Sequence, residues 1–189
     1  MKQFCRSLLG LIAWLAVAAA SAAAAHDELL VDQFGHEVPP SSLNGHFLLV
    51  YFGYTSCSDI CPTALSTMTR TLDLLGAVAH DLVPVFVTVD PERDTVAVMH
   101  DYIGHFHPRF LGLTGSARAV SAAQRSFAVT TKRAAGAPGS YSIDHGLFIY
   151  LAGADGKVLQ TFHAGQSAEV LAAGVRKSIE AEDVTENRK

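Results

Sequence analysis

The side chains best suited to chemistry are Cys57 and Cys61, which lie four residues apart in Gly53-Tyr54-Thr55-Ser56-Cys57-Ser58-Asp59-Ile60-Cys61-Pro62. A four-residue step advances an α-helix by about one turn, so two sulfurs at this spacing can face the same way. A thiolate is both a metal ligand and a nucleophile. The pair therefore admits a metal site, a redox dithiol or an inert disulfide. A bridge between them would close a very small loop and constrain the unfolded chain little, which argues against a purely stabilising role. Pro62 suits the first turn of a helix. A cysteine at a helix start is made more acidic by the helix dipole, and Cys61 is the one expected to benefit.

The third group is His145, at the end of Tyr141-Ser142-Ile143-Asp144-His145. Dithiol oxidoreductases usually separate their cysteines by two residues, and here there are three. Thioredoxin-like oxidoreductases also carry a proline just before the strand that faces their cysteines. That place holds Asp144-His145, and the nearest proline, Pro138, is seven residues upstream of the histidine. Two thiolates and one imidazole make a soft donor set that suits copper, especially Cu(I). A structural zinc site usually takes four protein ligands. The alternative for His145 is a loop histidine satisfied by its neighbours. Asp144 could orient the imidazole or cap the adjacent turn. Without the histidine, Cys57 and Cys61 would form the catalytic pair of a thiol–disulfide reductase. A third alternative is a thiol peroxidase that uses Cys57 near the helix start.

These groups need a scaffold that brings positions 57, 61 and 145 to one edge. Residues 47–52 form an apolar run too short for a helix, which predicts a buried central strand, and 82–89 predict a second. Between them, Ala64, Leu65, Met68, Leu72 and Leu75 lie on one face of a helix expected to run to about residue 79. Asp94 or Thr95 caps a helix to about residue 104, and Ser116 caps another to about residue 126. A short strand is expected at 110–113. Residues 29–38 read as an opening hairpin, and 134–140 as a glycine-, alanine- and proline-containing loop. Residues 147–151 and 157–162 read as a hairpin around Asp155-Gly156, and 166–179 as a closing helix. The fold class is α/β: a thioredoxin-like central mixed sheet flanked by helices, with an N-terminal β-hairpin and a C-terminal hairpin plus helix. Strand carboxyl ends share one functional edge, which would collect Cys57, Cys61, Asp90 and His145.

The chain of 189 residues, 49% hydrophobic and 17% charged, suits one domain plus a targeting segment. Lys2 and Arg6 precede an apolar run and an alanine-rich stretch that ends at Ala25, the order of a secretory signal. Residues 7–25 carry no charge and are also about long enough to span a bilayer. Both a cleaved leader and a retained anchor place the folded domain outside the cytoplasm, in a periplasm or tethered at the outer face of the membrane. The division expected is 1–25 leader or anchor, 26–180 thioredoxin-like domain and 181–189 polar tail. Residues 26–189 hold 12 basic and 18 acidic residues, a net charge of −6 against −4 for the whole chain. With no lysine or arginine cluster, that balance excludes nucleic acid as a partner. His100, His105 and His107 gather near a helix end, where histidines commonly sit for electrostatic reasons, and a secondary metal site there is the alternative. Met68 and Met99 read as core residues.

Several stretches together carry a family resemblance. They are Tyr51-Phe52-Gly53-Tyr54-Thr55 through Cys57 and Cys61-Pro62, then Thr88-Val89-Asp90-Pro91-Glu92-Arg93-Asp94-Thr95, then Phe110-Leu111-Gly112-Leu113-Thr114-Gly115, and last Tyr141 to His145 with Phe148-Ile149-Tyr150-Leu151. In these the chain resembles the Sco/SenC family of copper chaperones for cytochrome c oxidase. The resemblance implies a thioredoxin-like fold and one copper ion per chain, Cu(I) or Cu(II), held by Cys57, Cys61 and His145. It also implies that the partner is the copper-bearing subunit of the oxidase, whose dinuclear centre receives copper or whose cysteines are reduced. A thiol reductase and a second copper chaperone are the further partners expected. The chain departs from the family pattern at Ser56, Ser58 and Gly146, where histidine, proline and serine are common. None of these changes removes a ligand.

Overall fold

The apolar run at 47–52 folds as the strand around which the sheet is built. The computed structural model describes residues 29–135 and 141–186. The leader or anchor and most of the loop expected at 134–140 fall outside that range, as do residues 187–189 of the polar tail. In chain order the elements begin with β1 (Leu30–Asp32), β2 (Glu37–Val38), β3 (Phe47–Gly53) and α1 (Ile60–Leu75). Next come β4 (Leu82–Thr88), α2 (Val96–Ile103), β5 (Leu111–Gly115) and α3 (Ala117–Ser126). The chain continues through β6 (Thr131–Ala135), β7 (Tyr141–His145), β8 (Phe148–Ala152), β9 (Val158–His163) and α4 (Ala168–Glu186).

The main sheet runs β2-β1-β5-β4-β3-β8-β9. β3, β4 and β5 are parallel, and the remaining pairs are antiparallel. The mixed sheet flanked by helices is the expected thioredoxin-like arrangement. Side chains alternate across a strand, so β3 feeds two cores. Leu49 and Tyr51 pack with α1, α2 and α4, whereas Leu48, Val50 and Phe52 pack with Val85, Val87 and Leu113 on the other face. The predicted apolar stripe of α1 is buried, together with Cys61 and Thr71. Met68 and Met99 are fully buried in the first core.

Local signals account for most boundaries. The side chains of Thr95 and Ser116 accept hydrogen bonds from the N–H groups of Val98 and Ala119 as helix caps. Gly76 ends α1 at φ +56°, and a short 3₁₀ turn over Gly76–Ala79 completes the span read as helix. The departure from expectation is at the ribbon. β6 and β7 pair with each other in register Thr131↔His145, Lys132↔Asp144 and Arg133↔Ile143, and they form a separate two-stranded sheet. His145 therefore sits at the end of a strand, and residues 134 and 135, read as part of a loop, belong to β6.

Gly53, the last residue of β3, permits a close approach between that strand and α1. A Cβ there would lie 2.9 Å from both the Cys61 sulfur and the Phe86 ring. Gly53→Ala is expected to destabilise the domain by about 1–3 kcal/mol through overpacking. Urea denaturation should show a lower midpoint with an unchanged slope.

Candidate metal centre

The two cysteines occupy different environments although they are neighbours in sequence. Cys57 lies in the β3–α1 loop, partly exposed, and its N–H donates to the Tyr54 carbonyl at 3.2 Å. Burial raises the Cys57 thiol pKa. The backbone N–H groups of Asp59, Cys61 and Ile60, together with the Cys61 side chain, outweigh that and hold it below the ordinary thiol value. Cys61 is the second residue of α1 and has no exposed surface. Burial pushes its thiol up to about 12, and the adjacent Cys57 adds to the rise. The expectation that the helix start would acidify Cys61 is therefore corrected. The free amides at the helix start meet the sulfur that precedes the helix, whereas Cys61 turns into the core and loses water.

His145 reaches this pair from the end of β7. Its Nε2 lies 3.5 Å from Cys61 Sγ, and its Nδ1 lies 3.2 Å from the Gly146 carbonyl oxygen. A carbonyl only accepts, so Nδ1 carries the hydrogen and the Nε2 lone pair faces the sulfur. Burial lowers the imidazole pKa against the opposing pull of the Gly146 carbonyl and Asp144, which keeps the ring neutral at pH 7. The rings of Tyr51 and Tyr54 stand edge-on to it at 6.0 and 5.9 Å. Asp144 points to solvent, so the group that fixes the ring is the Gly146 carbonyl and not the Asp144 carboxylate.

The loop between β4 and α2 holds both parts of the site. The buried Asp94 carboxylate accepts from the Thr55 N–H at 3.1 Å and the Thr55 hydroxyl at 2.6 Å, and from the Thr88 hydroxyl at 2.6 Å. That pins the cysteine loop. Asp90, also fully buried, pairs with Arg93 and accepts from the Tyr141 hydroxyl at 2.7 Å. Arg93 Nη1 donates to the Tyr141 carbonyl at 3.1 Å. The Tyr141 ring lies 3.8 Å from the Arg93 guanidinium and 4.0 Å from that of Arg133, an arrangement favoured by cation–π attraction. Arg133 in turn pairs with Glu92 at 3.0 Å. These contacts grip the ribbon that carries His145. Asp90, expected on the functional edge, is internal and engaged by Arg93 and Tyr141.

Cys61 and His145 are spaced as two donors to one ion would be. Bonds of about 2.3 Å to sulfur and about 2.0 Å to nitrogen, at a tetrahedral angle, span about 3.5 Å, which matches the Cys61–His145 separation. The set is not closed as it stands. Among the described residues, no group of three or more His, Cys, Asp or Glu side chains is arranged to hold an ion. The same holds for the helix-end histidines. His100 lies 3.5 Å from Asp101, and His107 Nδ1 accepts from the Arg109 N–H at 3.2 Å. Sequence reasoning missed Tyr141 and the clamping roles of Arg93 and Asp94. For β7 the signal was present, because Tyr141, Ile143 and His145 alternate with the exposed Ser142 and Asp144. β6, exposed along nearly its whole length, carries no such pattern.

The sequence profile of the SCO1/SenC family matches residues 19–180. The chain belongs to this family. The SCO2-like protein of Rickettsia felis is 42% identical over 140 residues, covering 73% of this chain and 68% of that protein. The structure of Bradyrhizobium japonicum ScoI with copper bound superposes with a TM-score of 0.73 at 36% identity, covering 79% of this chain and 96% of that one. BsSco, described as a member of the Sco family of cytochrome c oxidase assembly proteins and as containing a disulfide switch, superposes with a TM-score of 0.62 at 25% identity over 79% of this chain and 90% of its own.

Two outcomes follow from this geometry. In the reduced, metal-free protein, iodoacetamide should modify Cys57 at least tenfold faster than Cys61 at pH 7, because the lower thiol pKa leaves more thiolate and Cys57 is partly exposed whereas Cys61 is buried. Peptide mass mapping over time checks this. Arg93→Ala leaves the buried Asp90 unpaired and releases Tyr141. The expected loss is about 3 kcal/mol, accompanied by faster hydrogen exchange in β6 and β7.

Proposed function

We propose that this protein binds one copper ion through Cys57, Cys61 and His145 and passes it to the copper-bearing subunit of cytochrome c oxidase. The observation that carries the reading is the 3.5 Å approach of His145 Nε2 to Cys61 Sγ across 84 residues of sequence. The tautomer supports it, since the nitrogen facing the sulfur holds a lone pair. The donor chemistry also supports it, because two sulfurs and an imidazole favour copper over harder ions. The copper bound in the Bradyrhizobium japonicum relative and the assembly role stated for BsSco point the same way.

Cys57 completes the ligand set by turning from the helix amides toward the ion. Three protein donors leave one side open, through which a partner's ligand can displace them one at a time. Loading needs a reduced dithiol, so a thiol reductase and a copper-supplying chaperone are the implied partners. Export places the domain on the oxidising side of the membrane, with residues 7–25 as a tether where they are retained. Among the described residues no helix is long and apolar enough to cross a membrane.

A second reading, thiol–disulfide reduction of the oxidase subunit's cysteines, is favoured by one observation: Cys57 is the more exposed and more acidic thiol, as an attacking nucleophile should be. Anaerobic competition titration with Cu(I) should show one equivalent bound by the parent. Cys57→Ala, Cys61→Ala and His145→Ala should each lower the affinity by more than about 100-fold, beyond what loss of a supporting group costs. Unchanged affinity in all three variants would overturn the copper reading. Weak binding by the parent, combined with full turnover of an oxidised partner peptide by His145→Ala, would establish the reductase instead.

A further inference from the structure

Tyr51 is a buried side chain that touches two of the three proposed ligands. It has no exposed surface. Its hydroxyl donates to Cys61 Sγ at 3.9 Å and has no other hydrogen-bond partner among the described residues. Its ring stacks on Phe86 at 6.4 Å and meets the His145 ring edge-on at 6.0 Å. Packing supplies no reason for the oxygen. A thiol sulfur is a weak acceptor, so the hydroxyl gives up water for a poor partner, and phenylalanine would fill the same space without that loss. The exchange becomes favourable when the sulfur is a metal-bound thiolate, because hydrogen bonds to a charged acceptor are about twice as strong.

We infer that the Tyr51 hydroxyl is a tuning group of the site, one that withdraws electron density from the Cys61 sulfur and so shifts the protein's preference from Cu(II) toward Cu(I). This rests on the copper reading above. A hydrogen bond to a ligating sulfur weakens its donation to the metal, and the higher oxidation state loses more from that than the lower. The direction suits a protein that must release its ion by exchange of soft ligands. Tyr51 is a positioning and tuning residue and is not itself a ligand.

Tyr102 provides a matched control from the same core. Its buried hydroxyl has no hydrogen-bond partner among the described residues, and its ring contacts are with Phe86 and Phe106 at 5.6 and 5.3 Å. The parent, Tyr51→Phe and Tyr102→Phe are each loaded with one equivalent of Cu(II). Their sulfur-to-copper charge-transfer absorption is recorded, and the one-electron Cu(II)/Cu(I) midpoint is read by spectroelectrochemistry, with the electrode supplying the electron. In Tyr51→Phe the band should move to longer wavelength. The ratio of Cu(II) to Cu(I) affinity should rise roughly fivefold, as for loss of one hydrogen bond, which lowers the midpoint by about 40 mV at about 59 mV per decade. Tyr102→Phe should match the parent, and melting of the metal-free proteins should show both variants folded. An unchanged band and midpoint in Tyr51→Phe, or an equal shift in Tyr102→Phe, would overturn the inference. A parent without a copper–thiolate band would instead overturn the copper reading, so the two failures are distinguishable.

Discussion

The contact between the His145 imidazole and the Cys61 sulfur exists because a loop between β4 and α2 grips two otherwise independent pieces of chain. The β6–β7 ribbon shares no strand hydrogen bonds with the main sheet, and an isolated two-stranded hairpin is marginal in water. Its position is set by side chains: Ile143 in the second core, Tyr141 between two guanidinium groups, and the Asp90–Arg93 pair beneath it. Four residues beyond Asp90 in the same loop, Asp94 holds Thr55 and with it the cysteine turn. One short segment therefore fixes the distance between both halves of the site.

Charge in this clamp is placed where removal is expensive. Asp90 and Asp94 are fully buried, and a buried carboxylate is tolerated only when paired or well hydrogen-bonded. Burial raises the Asp94 carboxyl pKa, and the hydroxyls of Thr55 and Thr88 with the Thr55 amide oppose that rise. By contrast, the Arg133–Glu92 pair is exposed and adds little stability by itself. The strength of the grip lies in the Asp90–Arg93–Tyr141 set and in Asp94.

The same economy of placement separates the two sulfurs. Cys57 faces the open amides of a helix start and is the readily ionised thiol. Cys61, one turn on, is enclosed by Tyr51, Gly53 and His145 and keeps its proton. In the metal-free state the single Cys61 S–H can serve either the Nε2 lone pair or the neighbouring Cys57 sulfur. A metal ion bound between these groups would replace that proton, which would tie binding to proton release.

By itself the sequence determined the parts of this protein that depend on a few neighbouring residues. The apolar runs of β3 and β4, the buried stripe of α1, the Thr95 and Ser116 caps and the Asp155-Gly156 turn were legible because periodicity and turn chemistry act locally. The cysteine spacing and His145 stood out in the sequence by residue type. Only the tertiary structure decided which thiol is acidic, why Asp90 is internal, that Gly146 and not Asp144 orients the imidazole, and that Tyr141 anchors the ribbon. Those answers depend on burial and on partners 39, 51 and 84 residues apart in the chain. No local pattern encodes the loss of water that comes when such distant segments close on one another.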